Sequence, residues 1–129
     1  MDKSYMSSII SEEFLNHNPD YIFVFGDNTI RKGTGGAAKL RYHKQSYGFI
    51  TKKFPSWDDN AYYKPNEYKP IYERELEKLK KVITENPDKT YLISKLGAGL
   101  ANRYMIFEKI IEPNIKKELL HFKNVRFLW

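Results

Sequence analysis

The stretch FVFGDNTIRKGTGGAAKLR, Phe23 to Arg41, decides the fold. A run of strand formers, YIFVF from Tyr21 to Phe25, ends in Gly26-Asp27-Asn28; behind it stand Gly33, Gly35, Gly36 and Ala37 among Arg31, Lys32, Lys39 and Arg41. A short continuous apolar run bounded by turn formers predicts a strand buried on both faces, as in a parallel sheet. GGAAKLRY from Gly35 then reads as the start of a helix. A glycine-rich turn between strand and helix lets a ligand approach main-chain N–H groups at the carboxyl edge of the sheet.

The rest of the chain repeats this alternation. Ser11 caps a short helix, EEFLNHN, with Glu12 and Glu13 in its first turn. YGFITKKF from Tyr47 is a second strand, and PSWDDNAYYKPNEYKP, Pro55 to Pro70, is expected to be a long ordered loop. IYERELEKLKKVITEN places Tyr72, Leu76, Leu79 and Ile83 at helical spacing. TYLIS, Thr90 to Ser94, is a third strand, LGAGLANR a glycine turn, and YMIFEKIIEPNIKKELLHF helical, with Pro113 kinking it or starting a second helix. VRFLW closes as a strand. Helices and strands in the order α-β-α-β-α-β-α-β predict one α/β domain over residues 1–129. Its sheet is mostly parallel or mixed, with helices on both faces.

The chain has 129 residues, no cysteine and a formal charge of +6. These exclude a disulfide frame, a thiol nucleophile and a thiolate metal site. No stretch is apolar enough for a signal peptide or a membrane span, so a cytoplasmic protein is expected, in the host cytoplasm if phage-encoded. The positive balance suits an anionic partner, a phosphorylated small molecule or a polynucleotide; it equally suits the composition of an AT-rich genome.

If a helix starts near Gly36, its N-terminus offers an anion site beside Gly33, Gly35 and Gly36, with Arg31, Lys32, Lys39 and Arg41 nearby. Asp27 and Asn28 add a carboxylate and an amide for sugar hydroxyls. The alternative is a tight strand-to-helix connection in which the glycines only turn the chain. The second loop, Leu96 to Arg103, repeats the pattern with Gly97, Ala98, Gly99, Leu100, Asn102 and Arg103. Neither loop is a Walker A motif, which needs Gly-Lys-Ser/Thr after its spacer. The dinucleotide fingerprint fails too, because Asn102 stands where its third glycine belongs. Two glycine loops at strand carboxyl ends point to a cleft gripping one phosphorylated ligand from two sides.

VFGDNTIRKGTGGAAKLR, GFITKK, KLGAGLANRYMIFEKIIEPNIKKEL and NVRFLW, in that order, resemble the small phage and bacterial proteins of a macro-domain-like family. The resemblance implies a macro-like three-layer sandwich and binding of ADP-ribose, which some macro domains hydrolyse from esters, glycosidic links or phosphates. It puts Asn28 on the distal ribose, Gly33, Gly35, Gly36 and Ala37 on one phosphate loop, and Gly97, Ala98, Gly99 and Leu100 on the other. The family's aspartate that holds the adenine amine has no counterpart before Tyr21.

The expectation is therefore a binder of ADP-ribose or a related nucleotide metabolite, with no metal and no cofactor, whose oligomeric state the sequence leaves open. In a hydrolase version Asp27 and Asn28 are catalytic, Asp27 activating water. A non-catalytic phage sponge for a nucleotide immune signal and a basic nucleic-acid binder are the alternatives. Gly26, Arg31, Lys52, Asn102 and Arg103 are expected to contact the ligand, although Asn102 also reads as an ordinary helix cap and Lys52 and Lys53 as an exposed strand end. His43 is a phosphate contact or a surface imidazole. Asp58 and Asp59 hold Mg²⁺ or a solvated turn. Trp57, Tyr62 and Tyr63 stack on a base or cover an edge.

Overall fold

The computed structural model describes residues 10–129. Residues 1–9, on which part of the reading of the N-terminus rests, lie outside the described residues. The elements are α1 (Glu12–His17), β1 (Tyr21–Asn28), β2 (Ser46–Lys52), α2 (Pro65–Glu85), β3 (Thr90–Ile93), a π-helical turn (Phe107–Ile111), α3 (Ile115–Leu119) and β4 (Val125–Phe127). All strand pairs are parallel, in the order β2-β1-β3-β4. This is the expected α/β three-layer sandwich.

Each face of β1 has its own core, as strand alternation requires. Val24, with Phe49, Tyr91 and Ile93, packs against Tyr68, Tyr72, Leu76, Leu79 and Ile83 of α2 and against Phe107, Ile111, Ile115 and Leu119. Phe23, Phe25 and Leu92 pack on the other side with Ile10, Leu15, Ala38 and Leu128. Ser11 caps α1 as expected, its hydroxyl accepting from Phe14 N at 3.1 Å.

Three expectations are corrected. GGAAKLRY forms no α-helix, only a three-residue 3-10 turn at Gly36–Ala38. Gly36 has φ +54°, and bonds from Ala38 to Gly35, Arg41 to Ala38 and His43 to Leu40 build successive tight turns. Side chains bond carbonyls on either side of these turns: Arg41 donates to Lys32 O and Gly33 O, and Ser46 to Arg41 O and His43 O.

The expected loop to Pro70 ends early, because α2 begins at Pro65. Proline at the first helical position is preorganised for a helix, the Glu67 carboxylate accepts from Lys64 N at 3.1 Å, and Tyr68 extends the apolar stripe by one turn. Finally, the segment around Pro113 is a π-helical turn closed by Glu112 N donating to Phe107 O at 2.7 Å. Pro113, lacking an N–H, stands in the break before α3.

The outer edge of β2 is covered by α2. The Tyr68 hydroxyl donates to Ile50 O at 2.6 Å, and Ile50 N donates to the Glu75 carboxylate at 2.7 Å. These bonds satisfy an edge that would otherwise be open to another chain. Tyr68 is fully buried, so Tyr68→Phe strands the Ile50 carbonyl. It should lower stability in urea unfolding by about 1–3 kcal/mol; an unchanged midpoint would remove the edge bond from the account.

Candidate functional site

The connection after β1 runs outward to β2, and that after β3 runs the opposite way to β4. Their divergence opens a crevice at the carboxyl ends of the two central strands, the place where open α/β sheets bind ligands. A cleft of about 570 Å³ lies there, within the range of small-molecule sites. Its floor is Gly26, Asp27, Asn28, Thr51 and Ser94; its walls come from both glycine loops and from Pro55, Ser56 and Trp57.

The floor needs small residues. A Cβ on Gly26 would stand 3.0 Å from Thr51 Oγ1 and 3.8 Å from Gly97 N. Gly97 has φ +78°, and a Cβ there would come within 2.7 Å of Ile111 Cδ1. Between Asp27 and Asn28 the β1–β2 register shifts, so that Asn28 pairs with Lys52 and Thr51 is the extra residue. A bulge of this kind re-aims side chains at a strand end.

Asp27 is buried, and both its carboxylate oxygens are bonded within the chain. Arg41 Nη2 lies 2.5 Å from Oδ1, Arg31 Nη1 lies 2.9 Å from Oδ2, and Asn28 N donates to Oδ1 at 2.7 Å. Gly48 makes room for it, since a Cβ there would fall 2.2 Å from Asp27 Oδ2. Arg31 takes a left-handed φ of 60° and also donates to Gly48 O at 3.0 Å. Arg31, expected to meet a ligand, and Arg41, expected as charge beside it, instead neutralise the acid that was expected to activate water.

Arg41 then shapes the first loop. Its Nε donates to Gly33 O at 2.6 Å and its Nη2 to Lys32 O at 3.1 Å. The Asn28 amide donates to Lys32 O at 2.9 Å and accepts from Ile30 N at 3.0 Å. In a trans peptide the N–H points opposite to the carbonyl, so the N–H groups of Gly33 and Thr34 are turned away from Arg41. Among the described residues the N–H groups of Gly33, Thr34, Gly35, Gly97 and Gly99 have no acceptor. Gly33 takes a left-handed φ of +96°, a conformation that recurs where successive main-chain amides point the same way. These unbonded amides belong to a loop, not to the helix terminus expected from the sequence.

Lys32, Lys52 and Lys95 line the cleft. Among the described residues none of the three is paired with a carboxylate. Lys52 Nζ lies 5.4 Å from the Trp57 ring centroid and 4.7 Å from that of Tyr62, and burial lowers its pKa below the usual 10.5. A desolvated ammonium without a counterion attracts an anion more strongly than one in bulk water.

Of the expected contacts, Gly26, Asp27, Asn28, Gly33, Gly35, Gly36, Lys52, Gly97, Gly99 and Leu100 come together at the cleft. Arg31 points to Asp27. Ala98 packs on the core. Asn102 accepts from Phe107 N and donates to Glu108; it does not cap the π-helical turn, whose N-cap is Ile106. Arg103 pairs with Asp59 and lies over Tyr62. The side chain of Ala37 lies outside the described residues. His43 bonds Asn16 and Gln45, and Asp59 is held by Tyr104 and Arg103. The reading missed Thr51, Pro55, Ser56, Ser94 and Lys95, whose signal was their place at or just after the end of a strand.

Fold and cleft together define an α/β protein with a lysine-lined cleft at the switch point of its sheet. Residues 5–103 match DUF7831, a family of unknown function. The chain belongs to that family, and the match includes both glycine loops. No curated protein and no solved structure matches the chain.

Removing one member of a buried charge cluster leaves the others uncompensated, so Asp27→Ala should cost about 3–5 kcal/mol in urea unfolding. Arg41→Ala should cost more than Arg31→Ala, because the Arg41 side chain is 6% exposed and that of Arg31 48%. Equal wild-type-like stability in all three would remove the cluster from the account.

Lys52 works the other way. Its folded pKa is depressed, so its protonated form opposes folding below that pKa, and the opposition fades as pH rises toward 10.5. At neutral pH Lys52→Met should unfold at the same urea concentration as wild type or a higher one. A clear loss of stability would show that the ammonium is compensated within the chain.

Proposed function

We propose that the chain binds a phosphorylated nucleotide of the ADP-ribose class in this cleft and releases it unchanged. The observation that carries the reading is the pairing of three uncompensated lysines with unbonded loop amides on one cleft at the switch point. The amides of the first loop and of Gly97 and Gly99 hold phosphate oxygens from two sides, and Lys32, Lys52 and Lys95 neutralise their charge. Asn28, Thr51 and Ser94 line the floor; the two hydroxyls already donate to Asp27 O and Val24 O, so toward a ribose they serve as acceptors. The macro-domain resemblance points to the same ligand class.

Binding without turnover is favoured by the state of Asp27. It is the one carboxylate lining the cleft among the described residues, and a base already bonded to two guanidiniums is poorly placed to take a proton from water. A polynucleotide surface is disfavoured by the engagement of two of the helical lysines within the chain. Lys80 binds Glu118 at 2.7 Å and Lys116 binds Trp129 O at 2.7 Å.

Titration calorimetry with ADP-ribose, followed by denaturation of the complex and mass analysis, tests both halves. Intact ligand is the expected recovery; cleavage products would replace the binder with a hydrolase. A Cβ added at Gly35 or Gly99 meets nothing within 4 Å, and Gly35 has φ −79°, so valine at either position should fold and intrude on the cleft. Gly35→Val and Gly99→Val should each weaken ADP-ribose at least about tenfold, and wild-type affinity in both would sink the two-loop model. Replacing Lys80, Lys81, Lys116 and Lys117 with Gln should leave affinity within about threefold.

A further inference from the structure

Resting on the reading above, we infer that Trp57 forms a nucleobase subsite at the mouth of the cleft, with the base stacked on its indole. Four aromatic residues follow β2 closely, Phe54, Trp57, Tyr62 and Tyr63, and of these Trp57 alone lines the cleft. Tyr62 and Tyr63 are buried, at 4% and 7% exposure, whereas Trp57 is 72% exposed while lining the cleft. Tyr62 has no free face to offer: Lys52 Nζ and the Arg103 guanidinium each lie 4.7 Å from its ring centroid.

A large aromatic surface left in water at the lip of a cleft is costly unless something covers it. Lys52 Nζ lies 5.4 Å from the indole centroid, and most of the ring surface stays open to solvent. Apolar lining continues inward from it through Pro55, Leu96, Leu100 and Ala101. Pro55 also touches the first glycine loop, since a Cβ on Gly33 would stand 3.4 Å from Pro55 Cβ. One wall therefore carries an anion-binding loop and a stacking platform side by side, the layout that suits a nucleotide rather than a bare phosphate or a sugar phosphate. Stacking needs only a π-face, so the subsite takes a base of any identity. No free carboxylate of the cleft is present to demand an exocyclic amine. This accounts for a nucleotide site in a chain that lacks the adenine-binding aspartate of the family it resembles.

The test compares ligands with and without a base on the wild type, Trp57→Ala and Trp57→Phe. Trp57 is exposed, so both variants should fold. ADP-ribose and AMP should bind Trp57→Ala about tenfold more weakly than wild type, with most of the affinity retained in Trp57→Phe. Pyrophosphate and ribose 5-phosphate should bind all three equally. Indole fluorescence should be quenched by AMP and not by pyrophosphate, and the quenching should vanish in Trp57→Phe, in which only Trp129 emits. If Trp57→Ala binds ADP-ribose as wild type does, the base subsite is overturned while the phosphate site stands. If wild type binds neither ADP-ribose nor pyrophosphate, both fall.

Discussion

The carboxylate of Asp27 sits at a buried strand end with two guanidiniums on it, and one of those guanidiniums also carries the loop that follows. Burying a lone carboxylate is prohibitively unfavourable, so the strand end exists in this form only with Arg31 and Arg41 in place. Gly48 on the neighbouring strand is required by the same group, because any side chain would occupy the space of Oδ2. From this contact the first loop inherits its path. Arg41 cannot reach Asp27 and the carbonyls of Lys32 and Gly33 unless the chain between them folds back in tight turns instead of a helix.

The same contact governs the electrostatics of the cleft. With its one acid neutralised, the lysines on the rim act on whatever enters without an internal competitor. The carbonyls that would repel an anion are held outward by hydrogen bonds, which leaves the amides free. The first loop is thereby held by hydrogen bonds within the chain. The cost falls on Lys52, whose ammonium is partly desolvated with only aromatic rings beside it. Charged groups left unsatisfied by the fold are commonly kept for function at the expense of stability.

How much of this was legible in the residues differs from element to element. The four strands and their parallel character followed from apolar runs of strand length separated by long connections, because only burial on both faces permits such runs. The placing of both glycine loops at the ligand edge followed from that alone. The helix expected at GGAAKLRY failed because local propensity was outweighed by a buried arginine reaching back to carbonyls eight and nine residues earlier. The late start assigned to α2 came from reading Pro65 and Pro70 as loop formers, when the first of them sits where a helix accepts proline without loss.

The sequence by itself determined the class of fold, the two loops and the excess of positive charge, since these depend on patterns within short windows. Only the tertiary structure decided which charges are free. Arg31 and Arg41 look like Lys32 and Lys52 in the sequence, yet the first two are spent on Asp27 and the others face the cleft. It also decided which aromatic ring is available, Trp57 rather than Tyr62 or Tyr63. Both outcomes follow from the strand order β2-β1-β3-β4 and from contacts between residues far apart in the chain, and no local period encodes those.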